Sequence, residues 1–553
     1  MLLPTLLLLA FAKAGVLASK PLNVMLHLDF GSFSHIKSLL EMGKVLEKRK
    51  HRVTFAAFDA CEKYNELYQI PFISLGKSID KSKILREQMK KGYGTRERVD
   101  TLKDMPNFFG ELLSSSYDAV YPRLGEVIDQ ERPDVVICDF FSIACRDVAE
   151  MKGIPLITGF QTVDGLGLMD APFLTNSMDY GSITIDSLSF TERFKEKIIN
   201  PLNMVYHFMA LGNVINKSRA KHGVPPATMP FGDFSTSLNL ANTFVGFEPA
   251  APLSPNVKLV GPIKSDTYHP LTPDIAHFLD THPRTLYIAF GSQVVLADFD
   301  LENLVVGSLS ALAEGSIDGI IWGLGKTILE DFPSTFTING TVVSSDHLFS
   351  NMHPHMRLLA WAPQTAILEH KNTRLFISHG GIESTFEAIL SGTPVLCMAF
   401  LADQSRNARK LEDAGVGKYV DRITAIPYIL SEDIKEFMAD ATGSIQMNVH
   451  RMQTIALIGS RRKEAGADAI EEYAYTARIC RTTKKHKYGK IPCEVEHLTM
   501  ASRKMSFIKS NLIDVYFVAF SVAITSLVSI FYGIKAIFYL PRKAPETDKK
   551  KKQ

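Results

Sequence analysis

The chain has 553 residues, too many for a single core, so length alone implies more than one domain. Hydrophobic residues make up 46% and charged residues 22%, the balance of a globular protein with an apolar segment added and not of a disordered chain. A net charge of +2 argues against a nucleic-acid binder that works through a basic surface.

Leu2 to Ala12 is almost wholly apolar, and Ala14, Gly15 and Ala18 follow it. This reads as a secretory signal over residues 1–18, although the usual basic start is absent. Asn23 to Leu28 predicts a buried strand, Gly31-Ser32 a turn, Ile36 to Lys48 a helix, and Arg52 to Ala57 a second strand. Pro133 to Cys138, Ile143 to Met151 and Pro155 to Thr158 repeat that strand–helix–strand order. The stretch from Gly165 to Pro226 is less regular and rich in Met, Phe, Leu and Tyr, which suits either core helices or a region that receives an apolar ligand.

A second alternation begins after Val257 to Pro262. Its expected strands are Thr285 to Phe290, Ile317 to Gly323, Met356 to Trp361, Thr373 to Ser378 and Val395 to Phe400. Ser431 to Arg481 reads as helices. Strands alternating with helices imply parallel, doubly wound sheets. The expected fold class is therefore α/β with two Rossmann-like domains. The first covers 19–255 and the second 256–440, with helices and a membrane-proximal segment over 441–510.

Val515 to Ile534 carries no charge and is long enough to span a bilayer, with Tyr516, Tyr532 and Tyr539 near its ends. Lys535, Arg542, Lys543 and Lys549 to Lys552 follow it. The expectation is a transmembrane anchor over 511–540 and a basic cytosolic tail over 541–553, with everything before the anchor lumenal. The terminal Lys550-Lys551-Lys552-Gln553 resembles a dilysine signal for return to the endoplasmic reticulum. Asn216-Lys-Ser218 and Asn339-Gly-Thr341 are glycosylation sequons. Of six cysteines, Cys138 and Cys397 sit in apolar runs and read as buried thiols. Cys480 and Cys493 lie in a polar stretch that suits a bridge.

The most informative block runs from Trp361 to Gln404. It holds Trp361-Ala-Pro-Gln364, His370, His379-Gly380-Gly381, Ser384, Glu387, Gly392-Thr-Pro394 and Asp403-Gln404. An indole offers a stacking face to a flat base. Glutamine and glutamate can hold ribose hydroxyls. Two glycines at a turn opening a helix let backbone N–H groups approach a diphosphate. Asp403 and Gln404 can bracket sugar hydroxyls.

This block is similar to the signature of the UDP-dependent glycosyltransferases, which include plant secondary-metabolite enzymes, insect enzymes and vertebrate glucuronosyltransferases. The resemblance implies a GT-B fold, with two Rossmann-like domains facing each other across a cleft. It also implies that the helices after residue 440 cross back onto the first domain. Trp361 would stack on uracil, Gln364 and Glu387 would hold ribose, and His379, Gly381 and Ser384 would meet phosphate. Ser292, in the Gly291-Ser292 turn, would add a further donor, and Asp403 and Gln404 would hold the sugar.

His35 follows the first strand and its turn, at the mouth of the sheet where doubly wound folds bind ligands. Asp139 ends a later strand at the same edge. The family places a His base and a supporting Asp at the matching positions, so His35 and Asp139 are the expected catalytic pair. Asp134 opens its strand at the wrong end, Asp147 lies inside a helix, and His27 sits mid-strand as a core histidine. The chain departs from the plant members at Glu383, where they commonly carry Asn. A carboxylate facing a diphosphate would be repelled by about 1 kcal/mol or more, so Glu383 is expected to point away.

Gly323-Leu-Gly325-Lys-Thr327 misses the P-loop spacing, because residue 320 is Ile. Asp298-Phe-Asp300 imitates the metal motif of a different glycosyltransferase fold, and no obligatory metal or other cofactor is expected. The UDP-sugar is a co-substrate. The expected partners are that donor, a small lipophilic acceptor and the membrane, with no nucleic acid and with a homo-oligomer left open. The expected activity is transfer of glucose or glucuronic acid to an acceptor hydroxyl with inversion. A sterol or lipid glucosyltransferase, or a silent membrane-tethered binder of UDP-sugar or lipophile, are the alternatives.

Overall fold

The computed structural model of the chain describes residues 20–539 except 30–32, 78–86, 88–93, 98–100, 164–172, 176–181, 293, 326–327, 329–331, 339–340, 347–352, 402 and 484–491. The expected signal, the Gly31-Ser32 turn, Asn339 of the second sequon and the basic tail lie outside the described residues.

Residues up to His497 form one compact unit built on two parallel sheets. The first sheet contains β1 (Asn23–Leu28), β2 (Arg52–Ala57), β3 (Phe72–Ser74), β4 (Val135–Asp139), β5 (Leu156–Phe160), β6 (Leu238–Ala241) and β7 (Val257–Leu259). Their order is β3-β2-β1-β4-β5-β6-β7, and every neighbouring pair is parallel. β1 and β4 are apolar almost throughout because helices cover both faces of the sheet. The strand order reverses between β1 and β4, which opens a crevice at their carboxyl ends. Helix α1 (Phe33–Lys48) leaves β1 at that crevice.

One face of this sheet packs against α2 (Thr101–Glu131), α3 (Ile143–Lys152) and α4 (Asn200–Lys221), through Tyr117, Leu124, Val148 and Leu211. α4 ends a continuous helical run from Phe190, so the less regular stretch is largely helical where described. Phe190, Leu202, Tyr206 and Met209 lie exposed on it, so it is no simple core helix. The expected boundary at residue 255 falls too early. β7 pairs with β6 and completes the first sheet, and this moves the division past Leu259.

The second sheet holds β8 (Thr285–Ala289), β9 (Gly319–Gly323), β12 (Met356–Leu359), β13 (Thr373–Ser378), β14 (Val395–Cys397) and β15 (Gly417–Tyr419). Between β9 and β12, a separate antiparallel pair is formed by β10 (Thr335–Ile338) and β11 (Thr341–Ser344). The parallel order is β12-β9-β8-β13-β14-β15, reversing between β8 and β13. Side chains alternate between two cores. Leu286, Ile288 and Trp322 face α6 (Asp298–Ala313) and α10 (Pro427–Ala439). Tyr287, Ile321 and Phe376 face α5 (Pro273–Thr281), α8 (Ile382–Ser391) and α11 (Ser444–Gly459). Short helices α7 (Gln364–Glu369) and α9 (Gln404–Asp413) complete the layer that borders the cleft.

After α11 the chain returns to the first domain as α12 (Lys463–Thr483), as the family resemblance implied. Arg49 pairs with Glu464, Asp468 and Glu471, and Arg478 reaches Asp134 at 2.7 Å. Asp134 is thus a strap contact at the far end of β4. The outward and returning crossings lie side by side, for Arg462 Nη1 donates to the Gly261 carbonyl at 3.1 Å.

One expectation about the cysteines is corrected. Cys138 is not a free thiol but is bridged to Cys145, because the end of β4 and the first turn of α3 bring their Cα atoms to 6.0 Å. Cys480 is bridged to Cys493, a pairing the sequence left open, and Cys397 is a buried thiol as expected. Asn216, of the first sequon, is hydrogen-bonded at both ends of its side-chain amide. Its Nδ2 donates to the Ala227 carbonyl, and its Oδ1 accepts from Ala227 N and Arg219.

Leu498–Gln553 is a second compact unit. Within it α13 (Ile513–Tyr539) runs 27 residues with none buried, and is the one described helix long and apolar enough to cross a membrane.

The two domains share a deeply buried ion pair, Lys410 Nζ on α9 to Glu248 Oε2 at 2.5 Å, with both side chains almost fully enclosed. Glu248 also accepts from Thr243 at 2.9 Å. Lys410→Met should leave Glu248 buried without its cation and lower unfolding stability by about 3–5 kcal/mol, read from urea denaturation.

Candidate active site

Each sheet reverses once, and the expected site residues collect at the two reversals. In the first domain, β4 delivers Asp139 at its carboxyl end and α1 delivers His35 in its first turn. His35 Nδ1 lies 3.0 Å from Asp139 Oδ2. Asp139 is fully buried and its other oxygen accepts from Phe141 N at 3.1 Å. An ionised carboxylate can only accept, so it fixes the proton on Nδ1 and leaves the Nε2 lone pair outward. Phe140 and Phe141 flank the imidazole, and Gln161 Nε2 holds the His35 carbonyl. Burial alone would push the imidazole pKa down. Asp139, with Asp403 adding to it, outweighs burial and holds it above the ordinary value.

His27 is the core histidine it was expected to be. Its Nδ1 bonds the Ala56 carbonyl at 2.9 Å, and burial pushes its pKa down to about 4. Asp147 pairs with Arg219 and Tyr117 inside the helix layer.

In the second domain, β8 ends at the Gly291-Ser292 turn and β13 ends at His379. The turns touch. A Cβ on Gly291 would lie 3.1 Å from the His379 ring, and one on Gly381 only 2.4 Å from His379 Nε2. Gly380 has φ +80°, and a Cβ there would meet Cys397 Sγ at 2.3 Å. Only glycine fits this turn, and α8 opens directly from it. Gly380 N donates to Ser378 Oγ at 3.4 Å, and the first amides of α8 are the unpaired donors of a helix N-terminus, where an anion is favoured. Burial lowers the His379 pKa to about 4, so at neutral pH it offers a neutral N–H and no full charge. Ser292 is exposed at the mouth of the neighbouring turn.

Gln364, Ser384 and Glu387 form one network. Gln364 Nε2 donates to Ser384 Oγ at 3.1 Å and to Glu387 Oε2 at 2.6 Å. Thr365 donates to Glu387 Oε1 at 2.7 Å. Trp361 stands one turn ahead, 62% exposed, with the His269 ring on its edge at 5.1 Å. That exposure leaves room for a planar base against the indole. Asp403 accepts from Asn407 at 2.7 Å, and burial raises its pKa. Gln404 Oε1 is already committed to the Phe400 and Leu401 amides, so it shapes the loop before α9.

Three polar residues escaped the sequence reading: Thr365, Asn407 and Lys37. The first two adjoin expected residues at helical spacing and could have been found from it. Lys37 carried no signal, since its partners lie in the other domain. Its Nζ is 2.5 Å from Glu383 Oε1 and 3.2 Å from Glu387 Oε1. Asp300, from the false metal motif, pairs with Arg422 at 2.7 Å. Among the described residues no three His, Cys, Asp or Glu side chains converge as a metal site.

Two parallel Rossmann-like sheets, with a His–Asp pair at one switch point and a glycine-rich turn at the other, have the architecture of the GT-B glycosyltransferases. Solved glycosyltransferases share this fold. The glycosyltransferase of kitacinnamycin matches with a TM-score of 0.55 at 16% identity, over 82% of this chain and 99% of the other. A UDP-glucosyltransferase from Polygonum tinctorium matches at 0.54 and 19% identity, over 81% and 98%. The profile of the UDP-glucuronosyl and UDP-glucosyl transferase family matches residues 32–455, and the chain belongs to that family. A UDP-glycosyltransferase of Talaromyces amestolkiae is 28% identical over 88% of this chain and 92% of its own. UDP-glycosyltransferase 1 of Phaeomoniella chlamydospora is 32% identical over 74% and 82%. UDP-glucuronosyltransferase 3A1 of Mus musculus is 23% identical over 63% of each. The chain is thus a UDP-glycosyltransferase.

Gly381→Ala isolates the cradle. Gly381 has φ −59°, which any residue adopts, so the added Cβ acts only by displacing His379. UDP affinity should fall about tenfold or more with little change in melting temperature, measured by calorimetry.

Proposed function

We propose that this enzyme transfers a hexose, glucose or glucuronic acid, from its UDP-sugar to a hydroxyl of a small lipophilic acceptor, with inversion. The observation that carries the mechanism is the 3.0 Å contact between His35 Nδ1 and buried Asp139. It leaves His35 Nε2 as a base directed into the cleft. Nε2 takes the acceptor's proton, and the hydroxyl oxygen forms a bond to the anomeric carbon. The bond from that carbon to the diphosphate oxygen breaks on the opposite face, and UDP departs with the electron pair. Asp139 stabilises the imidazolium that forms. Amides at the start of α8 and the His379 N–H meet the charge that grows on the diphosphate, a role that calls for no metal.

Trp361 stacks on the uracil, and Gln364 and Glu387 hold the ribose. Ser292, His379, Gly381 and Ser384 serve the phosphates, and Asp403 and Gln404 the sugar. A lipophilic acceptor accords with the apolar helix α13, which would hold the enzyme on a membrane where such compounds partition. On this reading the enzyme is a single-pass type I protein of the endoplasmic reticulum with its catalytic part lumenal. A sterol or lipid glucosyltransferase would use the same chemistry.

The deciding experiment measures acceptor-dependent UDP release with UDP-glucose and UDP-glucuronic acid, each against a panel of phenols and sterols. His35→Ala should keep UDP affinity and lose turnover by about 10²–10⁴-fold. Turnover that survives the substitution would remove His35 as the base, and UDP binding without turnover in the unsubstituted enzyme would favour a silent binder.

The pH profile follows from the same pair. The base must be neutral, and its pKa is raised, so activity should fall as pH drops through a value above 6.5. Asp139→Asn removes the main opposing term, so burial then dominates. The acid limb should shift to lower pH while the plateau rate falls about 10²-fold or more.

A further inference from the structure

Glu383 occupies the second position of α8, beside the amides that would receive a diphosphate. An uncompensated carboxylate there would oppose an anionic ligand. It is compensated from the other domain. Lys37 lies on α1, two residues after the base, and crosses the cleft to put its Nζ 2.5 Å from Glu383 and 3.2 Å from Glu387. Lys37 is 4% exposed and Glu383 9%. Glu383 Oε2 has no hydrogen-bond partner among the described residues, so the ion pair with Lys37 is what offsets its charge. The expectation that Glu383 turns from the phosphates thus has a physical agent.

Lys37 also acts on the ribose carboxylate. It contacts the same Glu387 oxygen that accepts from Thr365, while Gln364 takes the other. Burial opposes charge on both partners. Lys37, Thr365 and Gln364 together hold the Glu387 carboxyl below its ordinary range, and the two glutamates keep Lys37 firmly protonated. Removing the lysine would leave Glu383 and Glu387 enclosed without their shared cation, and burial, which already holds the Glu383 carboxyl above its ordinary range, would then act on both unopposed.

We propose that Lys37 is a donor-positioning residue contributed by the acceptor domain, which neutralises Glu383 and holds Glu387 so that the nucleoside diphosphate can bind beside them. The inference rests on the donor-site reading above and adds to it a residue from the opposite side of the cleft. The donor site is then complete only when α1 and α8 are in contact.

UDP is the probe, titrated into the full-length protein in detergent, because its binding needs no chemistry. Lys37→Met should weaken UDP about tenfold. Adding Glu383→Gln should bring it back to within about threefold of the unsubstituted enzyme, since both members of the pair are then gone. Glu383→Gln alone should tighten UDP by about threefold, because Lys37 then faces one carboxylate fewer. In turnover, Lys37→Met should raise KM for the UDP-sugar and spare kcat. Unchanged UDP affinity in Lys37→Met, or no recovery in the double variant, would overturn the proposal. Should Lys37→Met fail to fold, Glu383→Gln decides alone: tighter binding supports the proposal and weaker binding overturns it. If the unsubstituted enzyme does not bind UDP, the donor-site reading itself falls.

Discussion

A doubly wound parallel sheet has one place to bind a ligand at its carboxyl edge, the point where strand order reverses. The rest of this structure depends on that constraint. The first sheet reverses between β1 and β4, and the second between β8 and β13. His35, Asp139, Gly291 and His379 all follow strands that border a reversal. No loop has to be long or elaborate to bring them there. Strand order does the positioning, and short turns after each strand present the side chains.

Charge in the cleft follows a simple division. Groups that must change protonation are paired with carboxylates, and groups that must meet an anion are neutral or are amides. His35 is held by Asp139 and kept basic. His379 is enclosed without an acid beside it and stays neutral. Two histidines of identical chemistry therefore have pKa values shifted in opposite directions because of what lies within hydrogen-bond reach. Glu383 and Glu387 appear to break the rule, yet both answer to Lys37 from the facing domain.

Much of this was legible in the sequence. Buried parallel strands are short apolar runs, so β1, β2, β4, β8 and β13 stood out, and turns rich in glycine and serine marked their ends. The block from Trp361 to Gln404 is local, which is why a single pass along the chain could find it. What escaped was non-local. Lys37 meets residues about 350 positions away, and no spacing rule reaches that far. The Cys138–Cys145 bridge escaped for a different reason. Both residues sit in apolar surroundings that suit a thiol equally well, and only the bend from β4 into α3 brings them together. β7 was misassigned because three residues are too few to carry a period.

The crossings between the domains carry a mechanical consequence. The chain enters the second domain past Gly261 and leaves it near Gly459, and the two points are joined by the Arg462 hydrogen bond. The second domain is an insertion hung from two adjacent crossings, like a door on one pair of hinges. Rotation about that line moves the far edge of the cleft most and the hinge edge least. α12 lies outside the door, on the frame, and the buried Lys410–Glu248 pair is the latch that any such rotation would have to open.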